Sequence, residues 1–330
     1  MVAIGPTVPQ IQHPVGCWND LSQPCHLRES MSTTTTRRLL YAGCLSCFCA
    51  WTLAADPPAV AALAAAQVKA HATREGCWSL EIGAASTLDE GLWSQIATLP
   101  QVTQLSGSGA HFNDAIVQRL VTISTLETVY FNGPGFTDAG LAAFSALPRL
   151  RSLGVDHSTI LTGSGLSSFV GKASFTSLHF GGCIIGDEGV KAIARLVQLE
   201  DVALGHTRIT RASFPLLAQM PALARLEITP NWDPQPYTAA DFAAFSGMTR
   251  LRELELHDMV LPWDNGLDHL ATIPSLKTLK IYWSYLSAAD SAQLKAHLPA
   301  VTVDIRNPAG EDRLKQYNDR LDKLRSAGGH

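Results

Sequence analysis

One pattern limits what this 330-residue chain can fold into: a short apolar signature, L-x-x-L-x-[LIVF], that returns at a nearly constant interval. Clear copies fall at Leu126/Val129/Phe131, Leu150/Leu153/Val155, Phe175/Leu178/Phe180, Leu199/Val202/Leu204, Leu223/Leu226/Ile228, Leu251/Leu254/Leu256 and Leu276/Leu279/Ile281. Weaker copies lie at Leu80/Ile82, Val102/Leu105 and Val301/Val303/Ile305. Successive middle positions are 24 or 25 residues apart, except for one interval of 28 between 226 and 254. A period of this length marks units that cannot bury an apolar face singly and must stack on one another. One elongated array therefore replaces the two ordinary domains that length alone suggests.

Within each period the apolar spacing changes from two to three or four, which predicts a short strand followed by a helix. The helical halves read FTDAGLAAFSALP (136–148), IGDEGVKAIARL (185–196) and DNGLDHLATIP (264–274). Aspartate is expected to cap each helix by accepting free N–H groups of the first turn. Pro148 and Pro274 stand where a helix has already ended. With 46% hydrophobic and 16% charged residues the chain can fill a continuous core. Its net charge of −4 argues against a surface that tracks a nucleic-acid backbone.

These units resemble leucine-rich repeats, in particular the variant with a small Cys, Thr or Asn after the strand followed by I-T-D-x-G-L. Cys183, Thr207 and Asn231 occupy the small position. The resemblance covers roughly residues 57 to 306 and extends to leucine-rich repeat proteins exported by planctomycete-type bacteria. It implies a right-handed α/β solenoid of about nine or ten strand-helix units of 24 to 25 residues, and says little about function.

The flanks suggest how the array is delivered and closed. Residues 31–55, MSTTTTRRLLYAGCLSCFCAWTLAA, have the layout of a signal peptide, with Arg37 and Arg38 before an apolar stretch and small Ala54 and Ala55 before Asp56. Cleavage after Ala55 and a periplasmic or extracellular address are the expectation. A twin-arginine route, lipidation at Cys44 and an anchor formed by residues 39–55 are the alternatives. Residues 1–30 read as a non-native or disordered extension, with translation starting at Met31. Residues 56–76 read as a capping helix and linker, with PPAVAALAAAQVKAHA (57–72) helical and Val60, Leu63 and Val68 covering the first repeat. The repeat domain spans 77–308. The charged tail 309–330 carries Leu314, Tyr317, Leu321 and Leu324 at helical spacing.

Chemistry is sparse. Only Cys77 and Cys183 follow the cleavage point, four repeats or about 19 Å apart at one strand spacing per repeat, too far for a disulfide. The side chains between the paired strand apolars should form a row on the concave face: Glu81, Ser106, Tyr130, Gly154, His179, Ala203, Glu227, Glu255, Lys280 and Asp304. Glu227 and Glu255 on adjacent strands could serve acid-base chemistry if shielded; a solvated charged face relieved by Lys280 is the plainer reading. His157, His179, His206 and His257 do not share one repeat position, so no metal site and no cofactor are expected.

The departure from periodicity is aromatic. The long interval holds TPNWDPQPYTAAD (229–241), the next unit DMVLPWDNG (258–266), and the next YWSYLS (282–287). Trp232, Tyr237, Trp263, Tyr282, Trp283 and Tyr285, with Glu227, Glu255 and Lys280, are therefore the candidate binding residues, because insertions in a solenoid map to one face and tryptophan and tyrosine anchor interfaces. The expected function is non-catalytic recognition of a protein, peptide or glycan by a monomer with no membrane span in the mature chain. A structural envelope component and a hydrolase using a concave-face Glu/His site are the alternatives.

Overall fold

The computed structural model describes residues 58–73, 76–229, 239–261, 267–306 and 311–326. The export segment, the leading extension, Cys44 and the cleavage site lie outside the described residues, as do Trp232, Tyr237, Trp263 and Asn231.

Eleven strands form a single sheet in chain order: β1 (Val68–Ala72), β2 (Trp78–Ile82), β3 (Val102–Ser108), β4 (Thr128–Asn132), β5 (Ser152–Asp156), β6 (Ser177–Gly181), β7 (Asp201–Gly205), β8 (Arg225–Ile228), β9 (Glu253–His257), β10 (Thr278–Tyr282) and β11 (Thr302–Arg306). From β2 onward every neighbouring pair is parallel. The helices that alternate with them are short: α2 (Glu90–Thr98), α3 (Asp114–Leu120), α4 (Asp138–Ala143), α5 (Asp187–Ala194), α6 (Phe214–Ala218), α7 (Ala239–Ala243), α8 (Leu267–Leu270) and α9 (Ala288–His297); α1 (Pro58–Ala65) precedes the sheet and the longer α10 (Glu311–Ser326) follows it. The chain is an α/β leucine-rich repeat solenoid with ten parallel strands among the described residues. One unit replaces its α-helix by a 3₁₀ segment, Ser164–Phe169, entered through Gly163 at φ 90°.

The repeat apolars turn to the helix side and bury completely, as in Val129, Phe131, Leu153, Val155 and Leu178. Leucine sets the period, but in several repeats phenylalanine fills the interior. Phe112, Phe131, Phe136 and Phe144 form one packed group with ring centroids 5.2 to 5.7 Å apart, and Phe214 lies 5.1 Å from Phe245. Burying rings of this size contributes more per repeat than leucine alone, since each removes 150–250 Å² from water.

Two local expectations change. The helix expected over 57–72 ends at Ala65, and Val68–Ala72 is a strand antiparallel to β2. Its backbone pairs the N–H and C=O groups that β2 would otherwise present as an open edge, which a helix there could not do. Among the described residues, aspartate caps as expected only in α2, where Asp89 accepts from the amide of Leu92; Thr137 caps α4 by accepting from the amide of Ala139, Thr210 caps the 3₁₀ turn Arg211–Ser213 by accepting from that of Ala212, and α5 follows Gly186 with no side-chain cap. The adjacent aspartate serves the next repeat instead. Asp114 accepts from the amide (2.8 Å) and hydroxyl (2.8 Å) of Thr137, Asp138 from those of Thr162, and Asp187 from those of Thr210.

The small position after the strand is buried in four of the repeats: Ser158, Cys183, Thr207 and Ser284. The Cys183 thiol donates to the carbonyls of Val155 (3.3 Å) and Gly181 (3.4 Å), and burial pushes its pKa up to about 12. Cys77 and Cys183 are both buried thiols with no disulfide between them, as their repeat separation requires, and Cys77 Sγ donates to Gln101 Oε1 at 3.3 Å. No helix among the described residues is long and apolar enough to cross a membrane.

Candidate functional site

Because strand side chains alternate, residues two apart on each strand share the face turned away from the helices. The ten-residue row expected from the sequence runs in register along that face, from Glu81 opposite Ser106 to Lys280 opposite Asp304. On either side of it run two further columns. One carries Asp201, Arg225 and Glu253; the other carries Asp156, Gly181, Gly205, His257, Tyr282 and Arg306.

At mid-array, Tyr130, Asp156 and His179 form one hydrogen-bonded group. The Tyr130 hydroxyl donates to Asp156 Oδ2, and His179 Nε2 lies 2.8 Å from Asp156 Oδ1. Glycine makes the room. A Cβ on Gly154 would stand 2.6 Å from Tyr130 Cδ2, and one on Gly181 would collide with the Asp156 carboxylate. Burial alone would lower the pKa of His179, but the hydrogen bond and charge of Asp156, helped by Glu227, hold it above its ordinary value. Burial works to raise Asp156, and its bond to and charge from His179 bring it below the usual carboxylate range. The phenol of Tyr130 is pushed up by burial and by its bond to Asp156.

Further along, Arg225 is the hub of a larger network. Its guanidinium lies 2.9 Å from Asp201, 3.1 Å from Glu253, 3.4 Å from Glu227 and 3.7 Å from Glu255. Lys280 adds contacts of 2.6 Å to Glu253 and 3.3 Å to Glu255, and His257 Nε2 lies 2.8 Å from Glu255. Tyr282 continues the chain: its ring meets His257 edge-on at 5.3 Å, Arg306 stacks over it at 5.4 Å, and its hydroxyl donates to Asp304 at 3.1 Å.

The reading of Glu227 and Glu255 as a solvated pair does not hold, because each is only 7% exposed. The physical reason is the neighbouring long side chains: Arg225 and Lys280 lie across the two carboxylates instead of extending into water. The two then diverge. Burial, reinforced by the charge of Glu255, raises the Glu227 pKa. Burial also works to raise Glu255, but the His257 hydrogen bond and the charges of Lys280 and Arg225 bring it below its ordinary value.

Three of the candidate aromatics are described. Tyr282 belongs to the network, Tyr285 sits in the following loop where its backbone pairs with Met259 and Leu261, and Trp283 is 43% exposed. Trp283 occupies the residue directly after the strand, a position that is left-handed in seven of the described repeats, where Gly109, Gly133, His157, Gly182, His206 and Asp258 share it. At φ 53° the Trp283 backbone is one that a bulky residue rarely adopts.

Sequence reasoning passed over Arg225, Glu253, Asp201 and Asp156. Their signal was present, since each lies two residues from a member of the central row and thus on the same face. It also set His257 aside for not matching the other histidines, although its partner is the Glu255 carboxylate two residues back on its own strand.

No protein-family model matches the chain, and no curated protein matches it. Similar solved structures include an internalin, inlF, from Listeria monocytogenes, at 16% identity over 66% of this chain and 57% of that one with a TM-score of 0.47. The chain of a TLR13–ssRNA13 complex is similar at 17% identity over 66% of this chain and 31% of that one, also with a TM-score of 0.47. An internalin C2, inlC2, from Listeria monocytogenes shows 21% identity over 62% of this chain and 80% of that one, with a TM-score of 0.38. The match thus spans less than two thirds of the first two chains.

Proposed function

We propose that the protein is an exported, non-catalytic binding module that recognises a protein, peptide or glycan on the C-terminal half of its open sheet face. The observation that carries this reading is Trp283: a large ring, 43% exposed, at a backbone position that elsewhere falls to glycine or a polar residue, directly after the strand that carries Lys280 and Tyr282. An exposed tryptophan next to a rim of pre-ordered charges is the make-up of an interface anchor. The net charge of −4 supports a partner other than nucleic acid. The signal-like segment 31–55 supports export, and a mature terminus near Asp56, read by mass spectrometry of exported protein, is the matching expectation.

The test is capture of a partner from an envelope fraction by the immobilised chain, followed by calorimetry with the purified partner. Trp283→Ala should weaken binding by about 2 kcal/mol or more, as loss of an anchor does, with the melting temperature almost unchanged. Equal affinity for the parent, Trp283→Ala and Lys280→Ala would remove this face from the reading.

A second reading, a hydrolase, is favoured by one observation: adjacent carboxyls whose pKa values are pushed in opposite directions, as in acid-base pairs. Turnover of glycoside or ester substrates that disappears in Glu227→Gln would replace the binding module by an enzyme.

A further inference from the structure

We propose that Glu227, Glu255 and His257 form a binding site for one divalent first-row cation of the zinc or manganese type. The three side chains come from two neighbouring strands. Glu227 on β8 faces Glu255 on β9 in register, and His257 stands two residues further along β9 on the same face. Their nearest donor atoms all lie within 4.8 Å of one another. Ligands at about 2.0–2.2 Å around a tetrahedral cation stand about 3.3–3.6 Å apart, so closing the site takes side-chain rotation and no backbone movement.

The electrostatics call for positive charge. Four carboxylates, Asp201, Glu227, Glu253 and Glu255, are served by two permanent cations, Arg225 and Lys280. Glu227 is the least satisfied of them: among the described residues its one hydrogen bond is a long 3.4 Å contact from Arg225 to Oε2. Buried charges are ordinarily paired or bound to metal. His257 Nε2 is already aimed at Glu255 Oε1 at 2.8 Å, the contact that a cation takes over when it replaces the shared proton.

Two features outside the charged cluster point to the same place. Thr229, two residues beyond Glu227, is 1% exposed, and its hydroxyl oxygen has no hydrogen-bond partner among the described residues. Gly205 leaves open the space beside the other Glu227 oxygen, since a Cβ there would stand 3.3 Å from Oε1. An orphaned hydroxyl and a cleared carboxylate oxygen are what a site with room for a cation and its water presents.

The donor set selects the ion. Two carboxylates and one imidazole suit zinc, manganese or cobalt, whereas calcium and magnesium prefer oxygen alone. Three protein ligands also leave a coordination position for water. The sequence expectation of no metal rested on the failure of the four histidines to converge; here the glutamates supply the donors that histidine spacing lacks.

The experiment uses the full chain after chelator treatment, with zinc, manganese, calcium and magnesium titrated separately by calorimetry. Expected is one equivalent of zinc or manganese bound at least about 10-fold more tightly than calcium or magnesium. Glu227→Gln and His257→Gln should each weaken it by about 10-fold or more. Cobalt should give a visible absorption band that shifts in His257→Gln, which reports nitrogen ligation directly and is read against the melting curve of that variant to exclude misfolding. Absence of one-equivalent binding in the parent chain, or zinc binding that both variants retain, overturns the proposal.

Discussion

Gly154 shows how one residue organises its surroundings. Replacing a mid-strand glycine by alanine ordinarily stabilises by roughly 0.5–1 kcal/mol, but here the new Cβ would meet the Tyr130 ring at 2.6 Å. Gly154→Ala should instead destabilise by about 1–2 kcal/mol in urea unfolding, as overpacking does; a gain in stability would mean that the Tyr130 ring is not held by Asp156. The neighbouring Asp156–His179 contact gives a pH signature. His179 is raised above its ordinary value of about 6.5, so its contribution is fully present below that pH and is lost as pH rises through the folded value. Asp156 is lowered, so its contribution holds above its ordinary value of about 3.9 and fades as pH falls through the folded one. The stability gap between the parent and His179→Gln should therefore be widest between the ordinary carboxylate and imidazole values and narrow as pH rises through the folded His179 pKa, which an NMR titration should place above 6.5.

At the scale of the element, the repeats are stapled by aspartate. Asp138 at the start of α4 accepts from the Thr162 amide and hydroxyl and from the amides of Gly163 and Gly165, so it organises the entry to the 3₁₀ segment of the next repeat. Hydrogen bonds to a charged group contribute about 1.5–3 kcal/mol each at most, and partial exposure reduces the sum. Asp138→Ala should cost about 2–4 kcal/mol, more than Asp114→Ala, whose aspartate bonds a single threonine. Denaturant unfolding of the two variants measures the difference, and equal effects would show that the two glycine contacts contribute nothing. Burial works to raise Asp138, but these bonds hold it below its usual range. The staple therefore persists above the ordinary carboxylate pKa and weakens as pH falls through its lowered folded value.

The whole array is closed differently at its two ends. At the N-terminal edge β1 pairs with β2 and α1 buries Leu63. At the other, α10 buries Tyr317 and Arg320 donates to the carbonyl of Asp258, at the turn after β9 (3.3 Å). In a stack where each unit touches only its neighbours, loss of a terminal element loosens the adjacent units first. Removing residues 311–330 should therefore speed amide hydrogen exchange in β9, β10 and β11 while β4 to β7 keep the parent's protection. A uniform increase across all strands would mean that the array unfolds as one cooperative block.

The period of 24 to 25 residues was enough to read the strand order, the register and the central row of the open face, because in a stacked repeat the position within the unit dictates the position in space. It was also enough to separate Cys77 from Cys183. Legibility ended where a side chain's state depends on what lies beside it. Nothing local to VKAHA distinguishes a helix from a strand; the open edge of β2 decides it. Nothing in the spacing of Glu227 and Glu255 says that Arg225 and Lys280 lie across them and bury them. His257 looked unmatched among histidines because its partner is a glutamate, Glu255, two residues back on its own strand. The repeat is a property of the chain's own order and survives in the sequence, whereas charge burial and the meeting of donors from adjacent strands are set by contacts between units, which exist only once the stack is built.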